Sequence, residues 1–219
     1  MTANILMIAA VIGAYLIGSV NSSILLSKGL TGEDIRTSGS GNAGATNMLR
    51  THGKKMGVLT LILDILKGTA AVFASKGILY ELSGNVLQPS YIEALPYMCA
   101  AAVIIGHDFP VFFKFKGGKG VATSLGAVLV LDWKIGLMLL AAALIIMAVT
   151  RYVSLGSIVA GAAYIIAEML KMLLMHDYNI VKIICVLIIG SLLIIRHHAN
   201  ISRLLNGTEN KLGKKRNEQ

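Results

Sequence analysis

Three stretches of this sequence place glycines beside cations and neutral hydrogen-bonding side chains, a combination suited to holding phosphate. The first runs Arg36-Thr-Ser-Gly-Ser-Gly-Asn-Ala-Gly-Ala-Thr-Asn47, with Arg50 a turn further on. Gly39, Gly41 and Gly44 let backbone N–H groups converge on one anion without obstruction by a Cβ. Ser40, Asn42, Thr46 and Asn47 add neutral polar groups, and the Arg50 guanidinium can clamp a phosphate through two N–H groups. Gly39-x-Gly41-x-x-Gly44 has the spacing of a dinucleotide fingerprint, but no strand precedes it and no βαβ unit surrounds it, so that reading is set aside. A flexible turn between helices is the plain structural alternative, although a mere linker has little use for Asn, Thr and Arg among its glycines.

The second stretch is Gly106-His-Asp-Phe-Pro-Val-Phe-Phe-Lys-Phe-Lys-Gly-Gly-Lys-Gly-Val-Ala-Thr-Ser124. Gly117, Gly118 and Gly120 around Lys116 and Lys119 predict a basic, backbone-accessible loop that enters a helix, where free N–H groups and the positive end of the helix dipole favour phosphate. It is not a Walker A loop, because Gly120 follows Lys119 and the upstream glycine is missing. Phe109, Phe112, Phe113 and Phe115 read as interfacial anchors or as the flank of an acyl chain. His107 reads as a helix-end hydrogen-bonding group.

The third stretch is Arg196-His-His-Ala-Asn-Ile-Ser-Arg-Leu-Leu-Asn-Gly-Thr-Glu209. On a helix, His197 and Asn200 share a face, and Arg196, Asn200 and Arg203 extend a basic polar stripe. His197 could act as a general base or as a hydrogen-bond donor. Glu209 is expected to pair with a nearby cation. Asp64 and Lys67, spaced i, i+3 inside an apolar run, predict an ion pair near the site, since charges at that depth are costly unless paired. Glu168 and Lys171 have the same spacing and are expected only to snorkel.

The elements that must carry these residues are membrane helices. Apolar residues make up 55% of the chain and charged residues 14%, with a mean hydropathy of +0.72, whereas soluble domains carry about 25% charge. Met1–Ser27, 135–150 and 152–167 contain no Lys, Arg, Asp or Glu. Disorder, a disulfide scaffold and most soluble enzymes are excluded. Cys99 and Cys185 fall in apolar runs as small core hydrophobes. The N-terminal run lacks a basic leader and is too long for a signal peptide, so it is expected to be a mature span.

Seven spans are predicted, at about 4–26, 56–79, 91–108, 118–131, 134–150, 153–174 and 180–196. The fourth is short, with a charge-free part of 120–131. The fold class is thus an all-α integral membrane protein, a bundle of seven transmembrane helices, with residues 1–219 as one domain and a basic polar tail from about 207. Lys28, Arg36, Arg50, Lys54, Lys55, Lys114, Lys116, Lys119, Arg151 and the basic C-terminal segment fall on one side of this topology. Lys76, Lys134, Lys171 and Lys182 fall on the other. The positive-inside rule then puts the N-terminus outside and the C-terminus in the cytoplasm, with all three polar stretches on the cytoplasmic face. The formal net charge of +9 is accounted for in the same way, rather than by nucleic acid.

Together, Gly39–Asn47 with Arg50, Gly106-His107 through Lys116-Gly-Gly-Lys-Gly-Val-Ala-Thr123, and Arg196-His197 with Asn200, Arg203 and Glu209 resemble the bacterial acyl-phosphate:glycerol-3-phosphate acyltransferase family. The resemblance covers nearly the whole chain. It implies a multi-pass enzyme of the bacterial inner membrane, working without metal or organic cofactor. That enzyme would move a fatty acyl group from acyl phosphate to the 1-hydroxyl of sn-glycerol 3-phosphate, giving lysophosphatidic acid and phosphate. The implied partners are the two substrates and the bilayer, with the chain a monomer linked to the enzyme that makes acyl phosphate. Soluble-type glycerolipid acyltransferases carry His-x4-Asp, and no His here has Asp five residues on. Arg50, Ser40, His197 and Asn200 are assigned to glycerol 3-phosphate and the catalytic step. Lys116 or Lys119 with Gly117, Gly118 and Gly120 is assigned to acyl phosphate, with Asn42, Thr46 and Asn47 as further binding groups. The hydroxyl proton could pass to His197 or to a substrate phosphate oxygen. The rival reading is a transporter for a phosphorylated small molecule.

Overall fold

A computed structural model describes residues 2–83 and 93–213, and every described regular element is helical. The charge-free run at the start forms α1 (Thr2–Ser19), which breaks where Asn21 caps α2 (Ser22–Thr31) by accepting a hydrogen bond from the Ile24 amide at 3.1 Å. A single helical turn at Ile35–Thr37 precedes α3 (Ala45–Ser83). Then follow α4 (Leu95–Asp108), α5 (Val121–Leu131), α6 (Trp133–Thr150), α7 (Val153–Leu174), α8 (Ile180–Ile195) and α9 (His198–Leu205).

Five helices are long and apolar enough to span a membrane, or six if α8 and α9, bent by 49°, count as one broken span. This differs from the seven expected. The shortfall is at α5, whose 11 residues reach only about 16 Å at 1.5 Å per residue, against a hydrocarbon core of about 30 Å. The chain still passes through the bundle there. Gly120, before α5, lies against Asp108, while at the other end Lys76 bonds the Val130 carbonyl and Asp132 binds Lys171 at 2.8 Å. A second difference lies at 45–55, expected as loop and found as helix. Gly53, at φ 82° and ψ 179°, folds the first turns of α3 back so that Leu49 lies against Gly57. The expected tail cations Lys214, Lys215 and Arg216, and residues 91–92 of the expected third span, lie outside the described residues.

The core is built on α4. Its span is 67% buried, against 17–33% for the other four span-length helices, which marks it as the central helix. Its alanines and small neighbours let backbones close in, which is how helices associate where lipid removes the hydrophobic drive between them. A Cβ on Gly18 would meet the Val103 carbonyl at 2.1 Å, one on Gly68 the Thr123 carbonyl at 2.1 Å, and one on Gly126 the Ile65 carbonyl at 2.0 Å. Large apolar side chains such as Ile5, Phe73, Ile145, Val149 and Leu174 point outward, as a lipid-facing surface requires. Beside the main core, Ile24, Ile35, Ala43 and Met48 form a smaller one under the first polar stretch.

Charges collect at the two ends of the bundle. At the end remote from the three stretches, Lys171 bridges Asp132 and, at 3.8 Å, Glu168, while Lys182 binds Asp177 at 2.8 Å. The expectation that Glu168 and Lys171 merely snorkel is corrected for the glutamate. It is fully buried and accepts a hydrogen bond from the Tyr97 hydroxyl at 3.3 Å, because α7 turns this face toward α4 and not toward lipid.

Gly126→Ala is expected to destabilise the protein by about 2 kcal/mol through collision with the α3 backbone, within the cost typical of overpacking. Gly77→Ala, where nothing lies within 4 Å of an added Cβ, should leave stability unchanged or slightly raised. Thermal melting of both variants in detergent checks this.

Candidate active site

The three polar stretches meet at one end of the bundle, and the contact between them is the loop Gly117–Gly120. Its glycines are required by proximity. A Cβ on Gly117 would meet the His107 carbonyl at 2.0 Å, and one on Gly118 would meet His107 Nε2 at 2.1 Å and the Ala43 carbonyl at 2.7 Å. The loop is pinned back onto the end of α4, with the Gly117 amide donating to Asp108 O at 3.2 Å and the Gly118 amide to His107 O at 3.1 Å. From the third stretch, Arg196 donates through Nη2 to the Gly118 carbonyl at 2.8 Å and through Nε at 3.1 Å. Its guanidinium also stacks over the Phe109 ring at 4.9 Å. From the first stretch, Arg36, paired with Asp34 at 2.7 Å, donates to the carbonyls of Phe113 at 2.8 Å and Lys116 at 2.9 Å.

Lys119 occupies the centre. Its ammonium donates to Asn200 Oδ1. The Asn200 amide in turn donates to Glu209 Oε1 at 2.9 Å, and Arg203 holds Glu209 Oε2 at 2.8 Å. Burial, with the positive charges of Arg203, Arg196 and Arg50 adding to it and Glu209 opposing, pushes Lys119 down to about 8. Burial works to raise the Glu209 carboxyl, but hydrogen bonds from Asn200 and Arg203 prevail and hold it below the usual range. Glu209 is committed on both oxygens and Arg196 has the Asp108 carboxylate at 3.9 Å, so Lys119 is left with a neutral amide as its hydrogen-bond partner, a place suited to an anion. His197, 3% exposed, has its Nδ1 at 2.6 Å from the Leu193 carbonyl. A carbonyl only accepts, so Nδ1 carries the proton, and Nε2 of the neutral ring is left as an acceptor.

The expected residues divide. Lys119, Asn200 and His197 come together with the glycine loop, while Arg50 is exposed and reaches them only through the effect of its charge on Lys119. The side chain of Lys116 is exposed and makes no hydrogen bond or ion pair among the described residues, whereas that of Lys119 turns in toward Asn200. Asn47 is buried and all its hydrogen bonds are spent inside its own stretch. Its amide donates to Ile35 O at 3.1 Å and Ser38 O at 3.0 Å, while its Oδ1 accepts from the Ser40 amide at 2.9 Å. It shapes the loop and is not free to bind. Gly39, at φ +61°, packs directly against it, where a Cβ would sit 2.3 Å from Asn47 Oδ1. Ser40 is exposed, and Asn42 and Thr46 are half-buried. The Asp64–Lys67 pair forms as expected at 2.9 Å, and Glu209 takes Arg203 as its partner. Two functional placements escaped the sequence. Arg196 was part of the polar stripe but is found clamping the glycine loop. His107, expected to make a helix-end bond, instead takes Lys67 as its partner at 2.8 Å. The i, i+3 spacing of Asp64 and Lys67 was the one available signal for the latter.

Comparison with known proteins points to one family. The family model for glycerol-3-phosphate acyltransferase matches residues 8–207. The chain is 44% identical over 204 residues to the glycerol-3-phosphate acyltransferase of Clostridioides difficile (strain 630), covering 93% of this chain and 94% of that one. It is 43% identical over 198 residues to glycerol-3-phosphate acyltransferase 2 of Thermotoga maritima, covering 90% and 92%. Among solved structures it is similar to PlsY, an integral membrane glycerol 3-phosphate acyltransferase. The glycerol 3-phosphate form superposes with a TM-score of 0.78 at 38% identity, covering 94% of this chain and 96% of that one. The lysophosphatidic acid form gives 0.73 at 37%, covering 94% and 95%.

Because Lys119 is cationic below about 8 and neutral above it, binding of a phosphate group to the free protein is expected to weaken as pH rises through that value. Lys119→Arg, which stays charged throughout, should lose this alkaline limb. Calorimetric titration with inorganic phosphate between pH 6 and about 9.5 measures it.

Proposed function

Because the chain belongs to the glycerol-3-phosphate acyltransferase family, we propose that it transfers a fatty acyl group from acyl phosphate to the 1-hydroxyl of sn-glycerol 3-phosphate, releasing lysophosphatidic acid and inorganic phosphate. The observation that carries this reading is the gathering of Lys119, Arg196 and Arg203 at the glycine loop, where Arg203 binds Glu209, Arg196 lies 3.9 Å from the Asp108 carboxylate and Lys119 has only the neutral Asn200 as its hydrogen-bond partner. That lysine is suited to an anion, and both substrates of this reaction bring a phosphate.

The hydroxyl oxygen attacks the acyl carbonyl carbon, the new ester C–O bond forms, and the bond from that carbon to the phosphate oxygen breaks. Phosphate is already a good leaving group from a mixed anhydride, so catalysis consists of holding two anions side by side and neutralising them. Lys119 and Arg50 supply the charge. His197 Nε2 accepts a hydrogen bond from the attacking hydroxyl and so orients it, and the proton ends on the phosphate that departs. Ser40, with Asn42 and Thr46 on the same stretch, completes the polar wall.

In this reading the chain is a multi-pass protein of the bacterial inner membrane, with seven crossings that include the short α5. Its N-terminus is outside and its active site faces the cytoplasm, where acyl phosphate is delivered by the enzyme that makes it. Transport is the weaker reading. The lysines of the opposite end, Lys171 and Lys182, are paired with carboxylates, and the deep charges Asp64 and Lys67 are bound to each other, leaving no ladder of free sites across the bundle among the described residues.

Purified protein in detergent, given acyl phosphate and glycerol 3-phosphate, should release phosphate and form lysophosphatidic acid. A transporter has no second compartment in a micelle and would do neither. Lys119→Met is expected to lower kcat/KM by about 10²-fold or more, as loss of a charge-stabilising donor does. Wild-type turnover in that variant would remove Lys119 from the site.

A further inference from the structure

Beneath the glycine loop lies a chain of buried polar groups that takes no part in the acyl transfer as described. Asp64 and Lys67 on α3 and His107 at the end of α4 are 2%, 9% and 3% exposed. Ser22 Oγ donates to Asp64 Oδ1 at 3.0 Å. Lys67 Nζ sits 2.9 Å from the same oxygen, donates to the Val20 carbonyl at 3.1 Å and contacts His107 Nδ1 at 2.8 Å. Asp64 Oδ1 is 3.7 Å from that nitrogen.

An ammonium has hydrogens and no acceptor. Nδ1 must therefore accept from Lys67, and the neutral ring carries its proton on Nε2. That atom makes no hydrogen bond among the described residues. It is also the atom a Cβ on Gly118 would meet at 2.1 Å, at a point 2.7 Å from the Ala43 carbonyl. An N–H donor with no protein acceptor is thus held at the seam between the first and second polar stretches. The loop's attachment to α4 does not need this donor, because the Gly118 amide bonds the His107 backbone carbonyl, so it is available to a ligand.

Building on the acyltransferase reading, we propose that His107 Nε2–H donates a hydrogen bond to a phosphate oxygen of a bound substrate at the Gly118 loop. Asp64 and Lys67 act through it as positioning residues that fix which nitrogen carries the proton. The arrangement explains why an ion pair is kept at this depth in an apolar bundle. The aspartate anchors the lysine, the lysine fixes the tautomer, and the imidazole presents a neutral donor at the edge of a cationic cluster.

The test compares His107→Asn with His107→Gln in the phosphate-release assay. Asn keeps an acceptor near the Nδ1 position but cannot reach as far as Nε2, whereas Gln places an amide N–H near Nε2. His107→Asn should melt near wild type yet lose about 10²-fold in kcat/KM, as expected for removal of one positioned donor, and His107→Gln should recover at least about tenfold of that. The KM that rises, for acyl phosphate or for glycerol 3-phosphate, identifies which phosphate is bound. The size-matched neutral pair Asp64→Asn/Lys67→Met should raise the same KM and add little on top of His107→Asn, because the groups act in series. Equal activity of the Asn and Gln variants, or a loss confined to melting temperature with neither KM changed, overturns the proposal. Wild-type protein that releases no phosphate overturns the acyltransferase reading instead.

Discussion

Gly118 has an imidazole on one side and a backbone carbonyl of the first polar stretch on the other, each closer than any Cβ would permit. Its own carbonyl is held by Arg196 from the far end of the chain. Three segments separated by most of the sequence are thereby brought against a single residue without a side chain. Lys119 follows directly, and this closeness is what turns it toward Asn200. Were the loop displaced by the width of one methyl group, Arg196 and Arg36 would lose their carbonyl acceptors and the cation cluster would have no floor.

The same constraint explains how an apolar bundle carries so much charge. In lipid and in a packed core a charge persists only with a partner, and removing one member of a buried pair costs about 3–5 kcal/mol. At the end remote from the site the pairs balance, with Lys171 on Asp132 and Lys182 on Asp177. At the site end they do not. Arg203 holds Glu209, Arg196 lies between the Asp108 carboxylate and the Gly118 carbonyl, and Lys119 has only a neutral amide as its hydrogen-bond partner. In the proposed function a phosphate supplies the missing charge, and α4, the most buried of the span-length helices, gives the support on which it would be held.

Much of this was legible in the sequence because its signals are local. Charge-free runs mark helices, and glycines beside Lys119 mark a loop into a helix. The i, i+3 spacing of Asp64 and Lys67 marks a pair, and Glu209 beside the basic stripe marks another. The sidedness of the cations foretold that the three stretches share one end. What escaped depends on neighbours in space. Asn47 looks like a binding group until its amide is seen spent on Ile35 and Ser38. Lys116 and Lys119 are equivalent as letters, and only the path of the loop separates them. Glu168 is buried because α7 presents that face to α4, which no pattern along α7 alone reveals. The fold-back of α3 at Gly53 likewise follows from packing and not from hydropathy, whereas the brevity of α5 was visible in its short charge-free run.

The central claim is that phosphate is held where these stretches converge. An experimental structure of the protein crystallised with glycerol 3-phosphate tests it most directly. The account predicts the phosphate within hydrogen-bonding distance of a cationic group of the Lys119, Arg50, Arg196 and Arg203 cluster, on the same side of the bundle as the Gly118 loop. A phosphate found instead at the opposite end, beside Lys171 or Lys182, would contradict it.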